Sequence, residues 1–305
     1  MPRAIVLLNP RSRSGGRASI DRLLAAFNAA GWTAEIWAGE GADWTYTAAL
    51  RARDMQVDAV FGAGGDGLLA RMLPALMHSG VPLGVVPLGT GNVWARELGL
   101  PLQPERAIAR QLGAVPRQVD IGTANGRPFL VIASAGLDAR IVEFVQREGS
   151  TRALGQLAYP LASIALAAGL RGLPTRVWLD DEAPIELDLL VGIASNGRLY
   201  GGLVALLPNA RVDDGVLDVA LFSGGGPIEA TAHAARVLAG LHHTDPSVLI
   251  RSVRYLRLET LGAPLPVQSD GDPLGSTPLE VRVVPGALLA LDGRPPAQES
   301  SRQTR

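Results

Sequence analysis

Two glycine-rich loops constrain this chain more than any other feature of its sequence. The loops are Gly64–Gly67, which reads GGDG, and Leu88–Asn92, which reads LGTGN. Each follows a short apolar run with the length and composition of a buried parallel strand, Asp58–Gly62 and Val81–Pro87 respectively. Apolar residues recur at helical spacing beyond the first loop, and a further helix is predicted from about Val93. The pattern therefore predicts two strand–loop–helix units whose loops face one crevice.

Loops of this kind suit phosphate groups. The backbone can approach a bulky anion where Cβ atoms are absent, and helix N-termini offer free N–H groups and a partial positive charge. Glycine-rich turns also arise for steric reasons, so one loop alone is weak evidence. Asp66 would repel a phosphate unless it meets Mg²⁺ or orders the loop, which favours a metal–nucleotide complex. With the hydroxyl of Thr90 and the amide of Asn92 in the second loop, we predict a nucleotide phosphate site.

The order of strand and helix patterns predicts the fold class. Up to about residue 113 the two alternate, which is typical of a doubly wound parallel α/β sheet with ligands outside the carboxyl ends of its strands. A third polar loop, after the strand Ala4–Leu8 and Asn9, points to the same edge. Beyond Pro116, runs of period-two alternation predict a second domain, a mostly antiparallel β-sandwich or split barrel with helices. The expected domains are residues 1–118 and 119–286, and residues 294–305 read as a disordered tail.

Composition excludes several chemistries. The chain has no cysteine, and all 28 residues counted as lysine plus arginine are arginine. Thiolate metal sites, cysteine nucleophiles, a Walker-type lysine and Schiff-base catalysis are therefore excluded. The formal net charge of −1 predicts no nucleic-acid partner. The N-terminal apolar run is too short for a signal peptide, so we expect a cytoplasmic protein, with peripheral contact with the membrane left open.

One segment, Ala153–Leu170, comes near the length and hydropathy of a membrane span. Its polar residues, its proline and its small residues favour a helix buried across the second domain instead. Such a helix could also border a groove for acyl chains.

Six motifs, taken in order, resemble the diacylglycerol kinase catalytic family. This family includes bacterial soluble lipid kinases and sphingosine kinases, and it is a distant relative of the NAD kinases. The motifs are NPRSRSGG from Asn9, GGDG from Gly64, PLGTGN from Pro87, VDIG at Val119–Gly122, DDGVLDV at Asp213–Val219 and QSDGDP at Gln268–Pro273. The resemblance covers roughly residues 3–292.

The resemblance implies an ATP-dependent lipid kinase that uses Mg²⁺. Diacylglycerol is the default acceptor, with sphingoid bases and phosphatidylglycerol left open, and the lipid would be met at the membrane surface. It also implies that residues 287–293 pack back onto the first domain. The residues implied to contact the nucleotide are Asn9, Gly64, Gly65, Asp66, Gly67, Leu68, Gly89, Thr90, Gly91 and Asn92.

The resemblance further assigns roles to six residues of the second domain. Asp270 matches the catalytic base, which takes the proton of the acceptor hydroxyl. The Asp214 carboxylate and the backbone carbonyls of Arg211 and Val216 match a structural Mg²⁺ loop. The two supporting acids are Asp120, expected to act at the cleft between the domains, and Asp272, which stands where the family usually has glutamate.

Two alternative functions stay open at the level of sequence. A kinase of a soluble acceptor, in the manner of the NAD kinases, would share GGDG. A non-catalytic lipid-binding or regulatory protein on the same fold would draw support only from the departures Leu68, Val93 and Asp272. As a separate departure, the region Trp37–Glu40 lacks the threonine that related lipid kinases place near the nucleotide. A homodimer through an exposed sheet edge is left open.

Overall fold

The computed structural model describes residues 1–10, 12, 17–136, 139 and 171–292. The expected helix Ala153–Leu170 and the expected tail 294–305 lie outside these residues. Among the described residues, no helix is both long and apolar enough to cross a lipid bilayer.

The N-terminal half is a parallel sheet wound on both faces by helices, as the alternation of patterns predicts. Its strands lie in the order β2-β1-β3-β4, and every pairing among them is parallel. Its elements are β1 (Arg3–Leu8), α1 (Arg17–Ala29), β2 (Thr33–Ala38), α2 (Ala42–Asp54), β3 (Ala59–Gly64), α3 (Asp66–Leu76), β4 (Leu83–Pro87), α4 (Val93–Glu97) and α5 (Pro104–Leu112).

Alternate side chains of the central strands pack into two separate hydrophobic cores, one on each face of the sheet. From β1, Ile5 and Leu7 pack with α2 and α3, whereas Val6 and Leu8 pack with Phe27 of α1 on the opposite face. Strand side chains point alternately to opposite faces, so an apolar run without alternation requires cover on both sides. This requirement fixes the doubly wound arrangement and turns the carboxyl ends of β1, β3 and β4 to one edge.

The C-terminal half is an antiparallel β-sandwich, and the expected fold class is confirmed. Its long strand β9 changes partners along its length: its first half pairs with β8, and its second half pairs with β7. The elements are β5 (Arg117–Ala124), β6 (Arg127–Phe129), β7 (Ile132–Gly136), β8 (Leu173–Leu179), β9 (Ile185–Ser195), β10 (Leu199–Tyr200), β11 (Val204–Ala205), β12 (Leu217–Ser223), α6 (Pro227–Ala239), a 3₁₀ turn (His242–Thr244), β13 (Val248–Val253), β14 (Tyr255–Thr260), β15 (Pro266–Ser269), β16 (Asp272–Ser276) and β17 (Leu279–Ala290).

Among the alternating runs beyond Pro116, Val253–Glu259 reads in the sequence as one strand, but this prediction is wrong because the structure divides the run between β13 and β14. The chain turns a corner at Arg254, so that β13 pairs with β12 while β14 pairs with β8 and β17. The Asp180 carboxylate holds this corner, because it accepts the backbone N–H groups of Arg254 and Tyr255 at 2.7 and 2.8 Å. A partner more than seventy residues away in sequence is not visible in a local pattern.

Strand β17 joins the two halves. Its first part pairs with β14 and β5 of the sandwich, and its end lies parallel to β4, with Ala290 opposite Leu83. The pairing register shifts between Val284 and Leu288, where Gly286 adopts a positive φ of 58°. A bulge with a left-handed glycine bends a strand, and here it carries the chain from the sandwich into the parallel sheet.

Candidate active site

The two predicted glycine loops touch each other at the carboxyl edge of the parallel sheet. The backbone N–H of Leu88 donates to the carbonyl of Gly64 at 3.0 Å. A Cβ atom placed on Gly89 would lie only 2.4 Å from the Cα atom of Gly65, so the backbones are in direct contact. Glycine is therefore required at position 89 for the loops to form one surface.

Asp66 ties these loops together. Its carboxylate accepts the backbone N–H of Val93 at 3.0 Å and that of Trp94 at 2.9 Å, the first two residues of α4. Burial raises the pKa of Asp66, while these hydrogen bonds act in the opposite direction. The sequence left two roles open for Asp66, to meet Mg²⁺ or to order the loop. The contacts correspond to ordering the loop, because the carboxylate accepts N–H groups that the start of a helix leaves without a partner.

The second loop is closed by its own side chains. Asn92 takes a left-handed conformation with φ of 46°, its amide accepts the Gly89 N–H at 2.8 Å, and it donates to the Gly89 carbonyl at 2.9 Å. The Arg96 guanidinium donates to the Gly91 carbonyl at 3.1 Å. The Asn92 amide thus shapes the loop from inside, whereas the hydroxyl-bearing Thr90 is exposed at its tip.

The other residues expected at the nucleotide lie in three environments. Asn9 follows β1 and donates its backbone N–H to the Ala63 carbonyl of β3 at 3.2 Å. Leu68 is buried with its side chain against Gly64, and its own N–H donates to the Gly65 carbonyl at 3.0 Å. Gly67, in the first turn of α3, faces open space.

Asp270 stands at the tip of the β15–β16 hairpin with a positive φ of 47°. Its carboxylate accepts three consecutive backbone N–H groups, from Leu130 at 2.6 Å, Val131 at 3.0 Å and Ile132 at 3.1 Å. Burial, with a smaller contribution from the negative charge of Asp66, raises the pKa of Asp270 to about 6 against the opposing effect of these hydrogen bonds. A carboxylate with a pKa near neutral suits general-base chemistry.

The hairpin that carries Asp270 lies beside α3, the helix that begins at the first glycine loop. Asp272, on the same hairpin, accepts a hydrogen bond from Arg127 at 2.8 Å, and Arg71 of α3 lies 3.9 Å from the same oxygen. Arg71 belongs to the N-terminal half, so Asp272 links the two halves of the protein. With aspartate in place of the family's usual glutamate, the carboxylate still reaches both guanidinium groups.

Asp120 is a buried residue whose carboxylate connects three segments of the chain. One carboxylate oxygen accepts the Gly215 N–H at 2.7 Å, and the other accepts the N–H of Gly286, the residue at the bulge of β17, also at 2.7 Å. The residue is 2 % exposed. Asp120 therefore joins β5 to the acidic loop before β12 and to the strand that crosses between the halves.

We expect Asp120→Asn to lower the free energy of unfolding by about 1–3 kcal/mol. Asparagine would place an NH₂ group against one of the two N–H donors and leave that donor unsatisfied. Asp180→Asn is the matched control, because a single oxygen of the exposed Asp180 accepts both of its N–H partners and asparagine keeps that oxygen. Urea denaturation of both variants measures the difference; equal losses would contradict the role assigned to Asp120.

The expected Mg²⁺ loop lies beside this connector. Asp214 is exposed and accepts the Val216 N–H at 3.3 Å, and Asp213 pairs with Arg117 at 2.5 Å and with Arg211 at 3.3 Å. No cluster of three or more His, Asp or Glu side chains arranged for a metal occurs in the part of the chain that the structure describes. The expected site has one carboxylate and two backbone carbonyls, so it differs from a cluster of three or more acidic or histidine side chains. Its all-oxygen donor set fits a hard cation such as Mg²⁺.

Sequence reasoning missed the residues that support these groups. Glu97, the last residue of α4, is 2 % exposed and contacts the loop after β9. The amides that hold Asp270 belong to Leu130 and Val131, in the bend between β6 and β7, and to Ile132, the first residue of β7. A single acid five residues after PLGTGN and the apolar triplet Leu130–Ile132 carry no signal of these roles, because neither the helix period nor the strand period marks them.

A parallel α/β half with paired glycine loops, followed by an antiparallel sandwich, corresponds in chain order to two known domain families. Residues 3–124 match the family model of the diacylglycerol kinase catalytic domain, and residues 131–291 match that of the YegS C-terminal NAD kinase beta sandwich-like domain. The chain belongs to this family of diacylglycerol and YegS-like lipid kinases, and it is a kinase.

Relatives in sequence and structure agree with this placement. A diacylglycerol kinase of Mycobacterium tuberculosis (strain CDC 1551 / Oshkosh) is 32% identical over 243 residues, which cover 78% of this chain and 77% of that protein. A YegS-like lipid kinase, so named, of Pseudomonas aeruginosa (strain UCBPP-PA14) is 34% identical over 74% of this chain and 73% of its own. A crystal structure described as a candidate diacylglycerol kinase from Bacillus anthracis str. Sterne superimposes with a TM-score of 0.82 at 20% identity, covering 95% of this chain and 94% of its own.

Proposed function

We propose that this kinase transfers the γ-phosphate of ATP to the hydroxyl of a diacylglycerol-like lipid, with Asp270 as the general base. The observation that carries the proposal is the position and pKa of Asp270. Its hairpin meets α3, the helix that follows the first glycine loop, through Asp272 and Arg71, and with a pKa of about 6 its carboxylate is ionised at neutral pH yet basic enough to take a proton.

In the proposed reaction the lipid hydroxyl oxygen forms a bond to the γ-phosphorus, and the bond from that phosphorus to the β–γ bridging oxygen breaks. ADP leaves with the electrons of that bond, and the hydroxyl proton passes to the Asp270 carboxylate. The three amides from Leu130 to Ile132 fix the carboxylate in place. Catalysis of this kind depends mainly on positioning and on charge.

The nucleotide would lie with its phosphates against the surface shared by Gly65 and Gly89. The chain has no lysine, so guanidinium groups and backbone amides must supply its own positive charge toward the phosphates. Arg71 of α3 belongs to the half that carries the glycine loops, and its guanidinium lies 3.9 Å from Asp272 on the Asp270 hairpin, so it is the candidate for this role. Mg²⁺ bound with ATP would neutralise phosphate charge, and a second Mg²⁺ would suit the oxygen atoms of Arg211, Asp214 and Val216.

The test is transfer of label from [γ-³²P]ATP into lipids presented in mixed detergent micelles and in vesicles, with and without Mg²⁺. A panel of diacylglycerol, phosphatidylglycerol, a sphingoid base and the soluble acceptor NAD separates the acceptor classes. Label in diacylglycerol that requires Mg²⁺ supports the proposal. Label in NAD alone, or ATP binding without label in any acceptor, contradicts it.

The pH dependence of the reaction gives a second check. We expect kcat/KM for the lipid, at saturating ATP, to fall below about pH 6 by about tenfold per pH unit, because the protonated Asp270 cannot accept the hydroxyl proton. The rate profile should be flat above this value until another group titrates. A profile that keeps its full rate well below pH 5 would exclude Asp270 as the base.

A further inference from the structure

Glu97 connects the phosphate-binding half to the half that carries Asp270. One carboxylate oxygen accepts the backbone N–H groups of Arg198 at 3.0 Å and Leu199 at 3.2 Å, and the other accepts the Arg198 guanidinium at 2.9 Å. The Glu97 side chain is 3 % exposed, whereas that of Arg198 is 45 % exposed. Gly197 makes room, since a Cβ atom there would lie 2.8 Å from Glu97 Cγ. The buried link is therefore made to the backbone.

The residues just before this link support the base. Ser195 Oγ donates to the Val131 carbonyl at 3.0 Å, the Asn196 N–H donates to the same carbonyl at 2.8 Å, and the Asn196 amide donates to the Leu130 carbonyl at 3.1 Å. The N–H groups of Leu130 and Val131 in turn donate to Asp270. The peptide segment that holds the carboxylate is thus itself held from behind by residues 195–196.

At its other end, the link begins at the glycine loops. Glu97 closes the five-residue helix α4, whose first N–H groups donate to Asp66 of the GGDG loop. The five residues of α4 therefore connect Asp66 at one end to Glu97 at the other. Hydrogen bonds and short stretches of backbone together lead from Asp66 through α4, Glu97 and residues 195–199 to the amides around Asp270.

We propose that Glu97 is a positioning residue of the phosphoryl transfer reaction, which sets the place of Asp270 relative to the nucleotide phosphates. The inference rests on the proposed function. Two other connections join the halves: β17 pairs with β4, with Ala290 opposite Leu83, and Arg71 of α3 lies 3.9 Å from Asp272 on the half-exposed side of the hairpin. Glu97 differs from both because it is buried and holds the residues behind the amides that contact Asp270.

The test compares Glu97→Ala with Glu97→Gln in the lipid phosphorylation assay. Alanine removes the acceptor of two backbone N–H groups, so we expect kcat to fall by about 10–100-fold with the KM for ATP nearly unchanged. The amides of residues 130–132 lower the pKa of Asp270, so their displacement should move the acid limb of the pH profile upward by about 0.5–1 unit. Glutamine keeps an oxygen for the two N–H groups and should restore most of the rate and the original limb.

Asp245→Asn is the matched control for loss of a buried acid. Asp245 is 5 % exposed and pairs at 2.7 Å with Arg236, which is 48 % exposed, in the sandwich and outside the link. We expect this variant to lose thermal stability without any change in kcat or in the acid limb. Gly197→Ala, whose methyl group would press on Glu97, should reproduce the shift of the limb if Glu97→Ala does not fold.

The outcomes separate the two proposals. A wild-type protein that transfers no phosphate to lipid overturns the proposed function. A different result overturns the role of Glu97 alone. In that result the wild type is active and Asp270→Asn is inactive, but Glu97→Ala and Gly197→Ala have the same kcat and the same acid limb of the pH profile as Asp245→Asn.

Discussion

Replacing Asp270 by asparagine is expected to lower kcat for lipid phosphorylation by about 10²–10⁴-fold, the usual contribution of a general base. The substitution keeps the shape of the side chain and the oxygen that accepts Val131 and Ile132, but it cannot take up the hydroxyl proton. ATP affinity should change little, because no hydrogen bond links the Asp270 side chain to the glycine loops in the described residues. Steady-state assays of label transfer, with ATP binding measured by calorimetry, test both statements.

The pH dependence of the unfolding free energy shows whether Asp270→Asn removes a titrating carboxylate or disturbs the fold. The pKa of Asp270 is raised in the folded protein, from 3.8 to about 6. Its contribution to stability is therefore fully present below pH 4 and is lost as pH rises through about 6. We expect the unfolding free energy of the wild type to decline relative to Asp270→Asn over this window, by up to about 3 kcal/mol. A difference independent of pH would contradict the raised pKa.

Gly89→Ala is expected to have the largest effect on nucleotide binding. The added Cβ would lie 2.4 Å from the Gly65 Cα atom and 2.8 Å from Asn92 Oδ1, so the two loops must separate and the Asn92 bridge must open. Overpacking of this kind costs about 1–3 kcal/mol of stability. We expect ATP affinity to fall by about 10–100-fold, which corresponds to about 1.4–2.7 kcal/mol.

Gly262→Ala provides the control for this substitution. It makes the same chemical change at a position where the new methyl group meets nothing within 4 Å, and its φ is not positive. It should leave both thermal stability and ATP affinity near the wild-type values. If Gly89→Ala bound ATP as well as Gly262→Ala does, the contact between the two loops would not matter for the nucleotide.

Much of the fold could be read from local patterns. Unbroken apolar runs such as Ala4–Leu8 require cover on both faces, and the glycine loops after β3 and β4 lie within one stretch of chain. Both features arise from neighbouring residues, so the period of the pattern and the chemistry of the turn are sufficient. The corner at Arg254 was missed for the converse reason, since its partner Asp180 lies 74 residues earlier.

In the candidate site, too, local features could be predicted from the sequence and long-range contacts could not. Sequence alone placed phosphate-type loops at the ends of adjacent parallel strands and an acid at the tip of a hairpin, because turn chemistry and strand period are local properties of the chain. Only the tertiary structure decided what those groups contact. Asp66 meets N–H groups 27 and 28 residues away, Asp270 meets amides 138 to 140 residues away, and Glu97 meets the backbone 101 and 102 residues away. Partners at such distances depend on strand order, register and the packing of two domains, which no local pattern encodes.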